Sequence, residues 1–514
     1  MCFLTQFHTD KEDIMIRKRK IACRIGIFFL LGALLLGGCA TGNEPTVGTT
    51  ETRPRAYTEG PPESTEAGTD SGRVTEETTT GGGKQEELPT VDIEKSNAKQ
   101  KYFVGTTDKD AVSYKVGEEM KFTVSLRADG ALASCAKFKY ILKADDGRQP
   151  EEGYADGKTG VFTLTTKLDV PGFVNLQVIA CNKDGNELSG VNYFKGGAGA
   201  EIEKLQKAKA EPADFDAFWK SQLAKLEGVT PELTEIREVT SPDASFTVYA
   251  VKIRFTEQNT WGNYVSAYLS IPKDAKAGSL TLNVNYQGAG VSDLNKRCTK
   301  GQAMLTVSAH SMELGRDSSY YGGLMNSTLR DYHNAHNATR DTVYFREMVL
   351  RDIQAVRFMK LYFGENGPDE RFKGLWSSKQ QLILSGGSQG GFQAVAVGAL
   401  ESGVSMLDIN YPWLCDVGGC GVNGRMASTF MPTYTPALEY YDTVNFAKRL
   451  TCPTYIGIEG LGDDIATTTG VTIFWNSLNP SIVRRITYVQ NQSHSHFPIG
   501  KTDKFTLNGT VTKN

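Results

Sequence analysis

The stretch Gln381-Leu382-Ile383-Leu384-Ser385-Gly386-Gly387-Ser388-Gln389-Gly390-Gly391-Phe392 constrains this chain more than any other. Leu382–Leu384 is a short apolar run that reads as a buried strand, and the Ala- and Val-rich run from Phe392 to Leu400 reads as a buried helix. Between them stands Gly386-x-Ser388-x-Gly390, the pattern of a nucleophile on a sharp strand-to-helix turn. Such a serine needs neighbours without side chains, because its backbone is strained and its hydroxyl must stand clear. The helix that follows aims its first free N–H groups at the reacting centre, where an oxyanion would form. A bare GxSxG has little weight; the flanking strand and helix supply the context that gives it meaning.

A serine hydroxyl is a weak nucleophile until a base takes its proton and a carboxylate orients that base. In this kind of fold the order is serine, acid, histidine, each in a loop after a late strand. After the apolar run Tyr455–Ile458 comes Glu459-Gly460-Leu461-Gly462-Asp463-Asp464, and after Ile486–Val489 comes Asn491-Gln492-Ser493-His494-Ser495-His496. Asp463 and His494 are therefore the expected acid and base, with Asp464 the rival acid. The oxyanion donors expected are the backbone N–H of Gln389 and that of Ala289, in the Gln287-Gly288-Ala289-Gly290 loop after the strand Leu282–Tyr286. His494 and His496 could also be read as metal ligands, but no Cys or carboxylate has suitable local spacing, so no metal is expected. His310, His333 and His336 could be loop residues that contact substrate, but such histidines are more often plain core or surface residues.

The N-terminus carries an address. Arg17-Lys18-Arg19-Lys20, an apolar core and Leu36-Gly37-Gly38-Cys39 read as a secretion signal ending in a lipobox, with lipid on Cys39. This places the protein outside the cytoplasm, anchored to the bacterial cell membrane or outer surface. Of nine cysteines, six remain beyond the anchor: Cys135, Cys181, Cys298, Cys415, Cys420 and Cys452. Their spacing fits no metal pattern. The formal net charge of -3 and the lack of a basic stripe argue against nucleic acid as a partner.

Four regions follow from patterning. Residues 1–39 are the signal. Residues 40–98, built of Thr, Glu, Gly, Pro and Ser, cannot bury enough surface to offset their ordering entropy and read as a disordered linker. Residues 99–197 show period-two alternation at Phe122–Leu126, Phe138–Leu142, Phe162–Leu168 and Val174–Val178. Asp145-Asp146-Gly147 and Asn182-Lys183-Asp184-Gly185 provide turns, and the whole predicts a small immunoglobulin-like β-sandwich. By parity Cys135 and Cys181 fall on solvent faces, where a disulfide is one option and two free thiols the other. Residues 198–514 predict a helix near Phe215–Leu226. Strands are expected at Phe246–Phe255, Tyr264–Ile271, Leu280–Tyr286 and Met304–Ala309, and beyond them helices and strands alternate: an α/β-hydrolase domain with a mostly parallel sheet.

Several separated motifs in this last region resemble one family. Pro212-Ala213-Asp214-Phe215-Asp216-Ala217-Phe218-Trp219 is similar to its opening helix. Tyr344-Phe345-Arg346 with Asp352, Ala355 and Val356 resembles its helix before the nucleophile. Ser385–Gly391, Tyr411-Pro412-Trp413-Leu414-Cys415-Asp416 and Gly460-Leu461-Gly462-Asp463 resemble its nucleophile, Pro-aromatic and acid motifs, and His494 falls at its base. The family is acetyl xylan esterase / cephalosporin-C deacetylase, carbohydrate esterase family seven. The resemblance implies deacetylation of xylo-oligosaccharides or similar acetylated sugars, without a cofactor, and favours Asp463 over Asp464. Two departures stand out: Gln287-Gly288-Ala289 replaces the family's His-Gly-Tyr, and Thr467-Thr468 its Pro-Pro after the acid. The oligomeric state is left open. Rival readings are another acyl hydrolase, such as a peptidase or glucuronoyl esterase, and a non-catalytic glycan-binding surface lipoprotein.

Overall fold

A computed structural model describes residues 88–89, 91–256, 260–422 and 424–509. The signal, Cys39 and the linker as far as residue 87 lie outside the described residues.

Nine strands form the first part: Val91–Asp92 (β1), Lys101–Thr107 (β2), Met120–Ala128 (β3), Ala131–Ser134 (β4), Lys137–Ala144 (β5), Glu151–Asp156 (β6), Val161–Thr166 (β7), Gly172–Cys181 (β8) and Phe194–Ala200 (β9). One sheet has the order β1-β4-β3-β2 with β7 on β3, the other β6-β5-β8-β9. Alternation puts Phe122, Val124 and Leu126 of β3 inward. Phe103 meets Phe138 edge-on at 5.8 Å, and Phe138 meets Phe162 at 6.3 Å, so the two sheets close on aromatic contacts. Burying each such ring contributes about 2–3 kcal/mol before entropy is charged.

The parity argument for the cysteines fails. Cys135 lies in the break between β4 and β5, where alternation does not carry through, and Cys181 ends β8, whose last four residues are all buried. The loop after β8 folds back over that end, with Leu188 N–H donating to Ala180 O. Both thiols are buried and free, as are those of Cys415 and Cys452, while Cys298 and Cys420 are free and half-buried.

The second part begins with helix α1 (Phe215–Leu223) and continues through Leu233–Val239 (β10), Phe246–Arg254 (β11), Tyr264–Pro272 (β12), Thr281–Tyr286 (β13), Gln302–Val307 (β14), Ser318–Met325 (α2), Tyr344–Phe363 (α3), Leu382–Gly387 (β15), Gln389–Leu400 (α4), Met406–Asn410 (β16), Thr443–Ala447 (α5), Thr454–Gly460 (β17), Thr468–Ser477 (α6), Arg484–Val489 (β18) and Lys504–Gly509 (β19). Its ten-stranded sheet runs β10-β11-β12-β14-β13-β15-β16-β17-β18-β19. Pairing is antiparallel from β10 to β14, parallel from β14 through β18, and antiparallel again at β19. The swap of β13 and β14 in the order, and the parallel run after it, are the α/β-hydrolase arrangement expected from the sequence.

Helix α3 buries charged groups in its first half. The Glu347 carboxylate accepts from the Thr260 and Trp261 N–H groups (both 2.9 Å) and pairs with Arg346 (2.9 Å), which makes that burial tolerable. One continuous apolar core joins the sandwich to the sheet and its helices.

Candidate active site

Ser388 stands between β15 and α4 with φ 58° and ψ −126°, a conformation that a non-glycine residue holds only when its surroundings force it. The surroundings are visible. Ser388 N–H donates to Asn410 O (3.1 Å) at the end of β16, and Ser388 O accepts from Trp413 N–H (3.0 Å) and Phe392 N–H (3.1 Å). A Cβ on Gly386 would lie 2.5 Å from the Gly390 carbonyl, and one on Gly390 would run into Tyr286 O. The two glycines of the motif thus let the first turn of α4 sit directly on the ends of β13 and β15. The segment after β16 braces the turn from the other side, and Tyr411, Leu414 and Asp416 there all have positive φ (33°, 58° and 53°). Its Pro412 Cα packs where a Cβ of Gly391 would be, at 2.9 Å.

Asp463 follows β17 and His494 follows β18. His494 Nε2 is 2.8 Å from Ser388 Oγ, and its Nδ1 is 2.9 Å from Asp463 Oδ2. The other carboxylate oxygen, Oδ1, accepts from the N–H groups of Ile465 (2.8 Å) and Ala466 (3.0 Å). With both its oxygens occupied, Asp463 is locked in orientation. Burial pushes its pKa up, opposed by the bond to His494. Asp464 instead faces outward beside Lys195 (4.0 Å) and does not touch the imidazole. His496 turns to Asn491 Oδ1 (3.3 Å), away from His494's partners. Among the described residues no group of three or more His, Cys, Asp or Glu side chains is placed to hold a metal ion. The residues expected as nucleophile, base and acid are thus brought together by three different strand ends.

The loop Gln287–Gly290 follows β13 alongside the elbow, in register Tyr286 with Gly386. Gln287 O accepts from the Gln393 side chain (2.8 Å), which ties the loop to α4. Ala289 is exposed in this loop, and Gln389 is the buried first residue of α4. Sequence reasoning missed what holds the pair. Tyr332 Oη donates to Gln389 Oε1 (2.7 Å), and the fully buried His310 reaches Gly290 O with Nε2 (3.1 Å) and Tyr344 Oη with Nδ1 (2.6 Å). Burial, then the nearby Arg351 cation, pushes the His310 pKa down to about 3, so this ring is neutral. A lone histidine in the sequence gives no hint of such a role.

Glu459 was also missed. It is fully buried at the end of β17, and among the described residues no donor bonds either carboxyl oxygen; the nearby Thr468 hydroxyl is turned to Gly460 O (2.9 Å). Burial first, then the charge of Asp463, holds its pKa well above the usual carboxylate range. Of the two coupled acids Glu459 keeps the proton, since Asp463 accepts three hydrogen bonds and Glu459 accepts none.

Fold and site together define a carboxylic ester hydrolase of α/β-hydrolase architecture. The acetyl xylan esterase (AXE1) family model matches residues 199–419 of this chain. It is 27% identical over 385 residues to the acetyl esterase Axe7A of Xylanibacter ruminicola, covering 71% of this chain and 80% of that protein. Among solved structures, acetyl xylan esterase 1 from Thermoanaerobacterium sp. JW/SL YS485 aligns at TM-score 0.46 and 18% identity, over 58% of this chain and 93% of that one. The acetyl xylan esterase of Paenibacillus sp. R4 aligns at TM-score 0.45 and 17% identity, over 58% and 94%.

Proposed function

We propose that this enzyme removes acetyl groups from xylo-oligosaccharides or similar small acetylated sugars by a double-displacement mechanism. The observation that carries the reading is the unbroken chain of contacts Ser388 Oγ, His494 Nε2, His494 Nδ1, Asp463 Oδ2, with Oδ1 already tied down. His494 takes the Ser388 proton as Oγ attacks the ester carbonyl. The N–H groups of Ala289 and Gln389 receive the developing oxyanion, the second with the dipole of α4 behind it. Asp463 fixes the imidazole tautomer and stabilises the imidazolium. Collapse breaks the ester bond, and His494 gives its proton to the departing sugar hydroxyl. Water, deprotonated in turn by His494, attacks the acetyl-serine and releases acetate. No cofactor enters this scheme.

The proposal extends to location: a secreted protein held to the bacterial surface by lipid on Cys39, with the residues between Cys39 and β1 as its tether, since Val91–Asp92 is already paired with β4 and Ile93 is buried in the core. Cys39→Ser should then release the protein from the membrane fraction; a variant that stays there sinks that part.

The test of function is acetate release from acetylated xylo-oligosaccharides by the full chain, beside Ser388→Ala. Release by the unmutated chain and loss of roughly three or more orders of magnitude in the variant supports the reading. Cleavage of methyl glucuronates or peptides without acetate release would overturn the substrate class. Activity that survives in Ser388→Ala would overturn the mechanism.

A further inference from the structure

We infer that the β-sandwich is part of the catalytic apparatus: its strand β9 holds the loops that carry Asp463 and His494, through the buried side chains of Gln490 and Asn491. The inference rests on the triad reading above. Strand β9 has the sequence Phe-Lys-Gly-Gly-Ala-Gly-Ala, in which three glycines stand where a strand ordinarily has side chains to pack. A Cβ on Gly196 would collide with Gln490 Oε1, and one on Gly197 with Leu461 O. Gly196 and Gly197 lie where the catalytic loops land, whereas Gly199 makes room for Ile202 and Phe173.

The contacts are specific. Gln490 Oε1 accepts from Gly197 N–H (2.9 Å), and its Nε2 donates to Gly197 O (2.9 Å), so one side-chain amide pairs with β9 as a neighbouring strand would. Asn491, at φ 55°, accepts from Lys195 N–H (3.1 Å) and donates to Phe103 O on β2 (2.8 Å). These two residues open the loop that ends in His494. Their grip passes to the acid loop, because Gly462 N–H donates to Gln492 O (2.8 Å). A second tie comes from Asp145 in the β5–β8 sheet's turn. It accepts from Met426 N–H (2.8 Å) and from the hydroxyl of Thr469, in the first turn of the helix after the acid. Gln490, Asn491 and Asp145 are buried, so each bond is made in a setting where losing it is costly. Gln490 and Asn491 are positioning residues, since they touch the loop and not the reacting atoms.

The experiment works from both sides of the contact in the full chain. Gly196→Ala displaces the Gln490 amide from the sandwich side, pressing also on the Phe194 ring, and Gln490→Ala removes that amide without altering the sandwich. Each should lower kcat on an aryl acetate roughly ten-fold or more, with KM nearly unchanged, as for a misplaced catalytic group. The double variant should be no worse than the more severe single one, because both break one contact. The downfield proton resonance of His494 Nδ1–H should shift in each. If a variant does not fold, Asn491→Gly, which keeps the left-handed backbone and loses the side-chain bonds to Lys195, Phe103 and His496, carries the same expectation. Variants that lose thermal stability but keep kcat and the His494 resonance would overturn the inference. An unmutated chain that cleaves no ester would sink the proposed function instead, and the resonance shift would still decide whether β9 positions His494.

Discussion

Gly386→Ala is the sharpest probe of the strand-to-helix turn. The added methyl would sit 2.5 Å from both the carbonyl carbon and oxygen of Gly390 and 3.0 Å from its Cα, where ordinary contact begins at 3.4 Å. All three atoms are backbone, so no side chain can swing aside. The first turn of α4 must retreat from β15 by about 0.9 Å, and the Ser388 hydroxyl and Gln389 N–H move with it. A displacement near 1 Å at a reacting group costs on the order of 100-fold in rate, and the overpacking costs about 1–3 kcal/mol of stability. The assay is steady-state hydrolysis of an aryl acetate, with thermal unfolding to confirm that the variant is folded at the assay temperature. The expected result is a fall in kcat of about two orders of magnitude with KM changed little. A folded Gly386→Ala enzyme with kcat within three-fold of the unmutated one would refute the steric account of the elbow.

Other outcomes follow from the same geometry. His494→Ala should cost roughly three or more orders of magnitude in kcat, measured on the same substrate. Asp463→Asn should fold but lose on the order of 10⁴-fold in kcat, because the amide cannot hold the productive tautomer, whereas Asp464→Asn should change kcat less than about three-fold, since its carboxylate faces Lys195. Glu459→Gln should keep its activity, because burial and the Asp463 charge already favour the uncharged carboxyl. In thermal melts against pH, Glu459 makes stability fall as pH rises above about 4.5, where the unfolded chain ionises and the folded one holds the proton; the slope is about 1.4 kcal/mol per pH unit until the folded pKa is reached. The Gln variant should lack that fall, and an unchanged pH–stability curve would show that Glu459 is ionised in the native state.

The sequence was most readable where local chemistry is tight. Gly386, Ser388 and Gly390 stand in a turn whose strain demands those residue types, and the apolar run Leu382–Leu384 of β15 is buried on both faces, so its hydrophobic continuity survives in the sequence. Strands whose existence depends on distant partners were not readable. Strand β9 has no alternation, and β6 is a polar, half-exposed edge; each is a strand because of the chain beside it. The solvent-face assignment of Cys135 and Cys181 failed for a related reason, since parity ends where a strand breaks or a loop covers it. At the site, Ser388, Asp463 and His494 follow from motif and order, but Glu459, His310 and Gln490 act through burial, and burial leaves no mark at a single position.

The seam between the two parts also dictates an order of assembly. The carbonyl of Phe103 is paired by Asn491, and the Thr106 hydroxyl by Asp503 (2.6 Å), so some of the first strands synthesised wait for some of the last. Contacts of such long span are slow to form and expensive in loop closure. A ribosome-bound chain lacking its C-terminal strands therefore has an incomplete sandwich as well as an incomplete hydrolase. Heating the finished protein should melt both in one transition, with no temperature at which either survives alone.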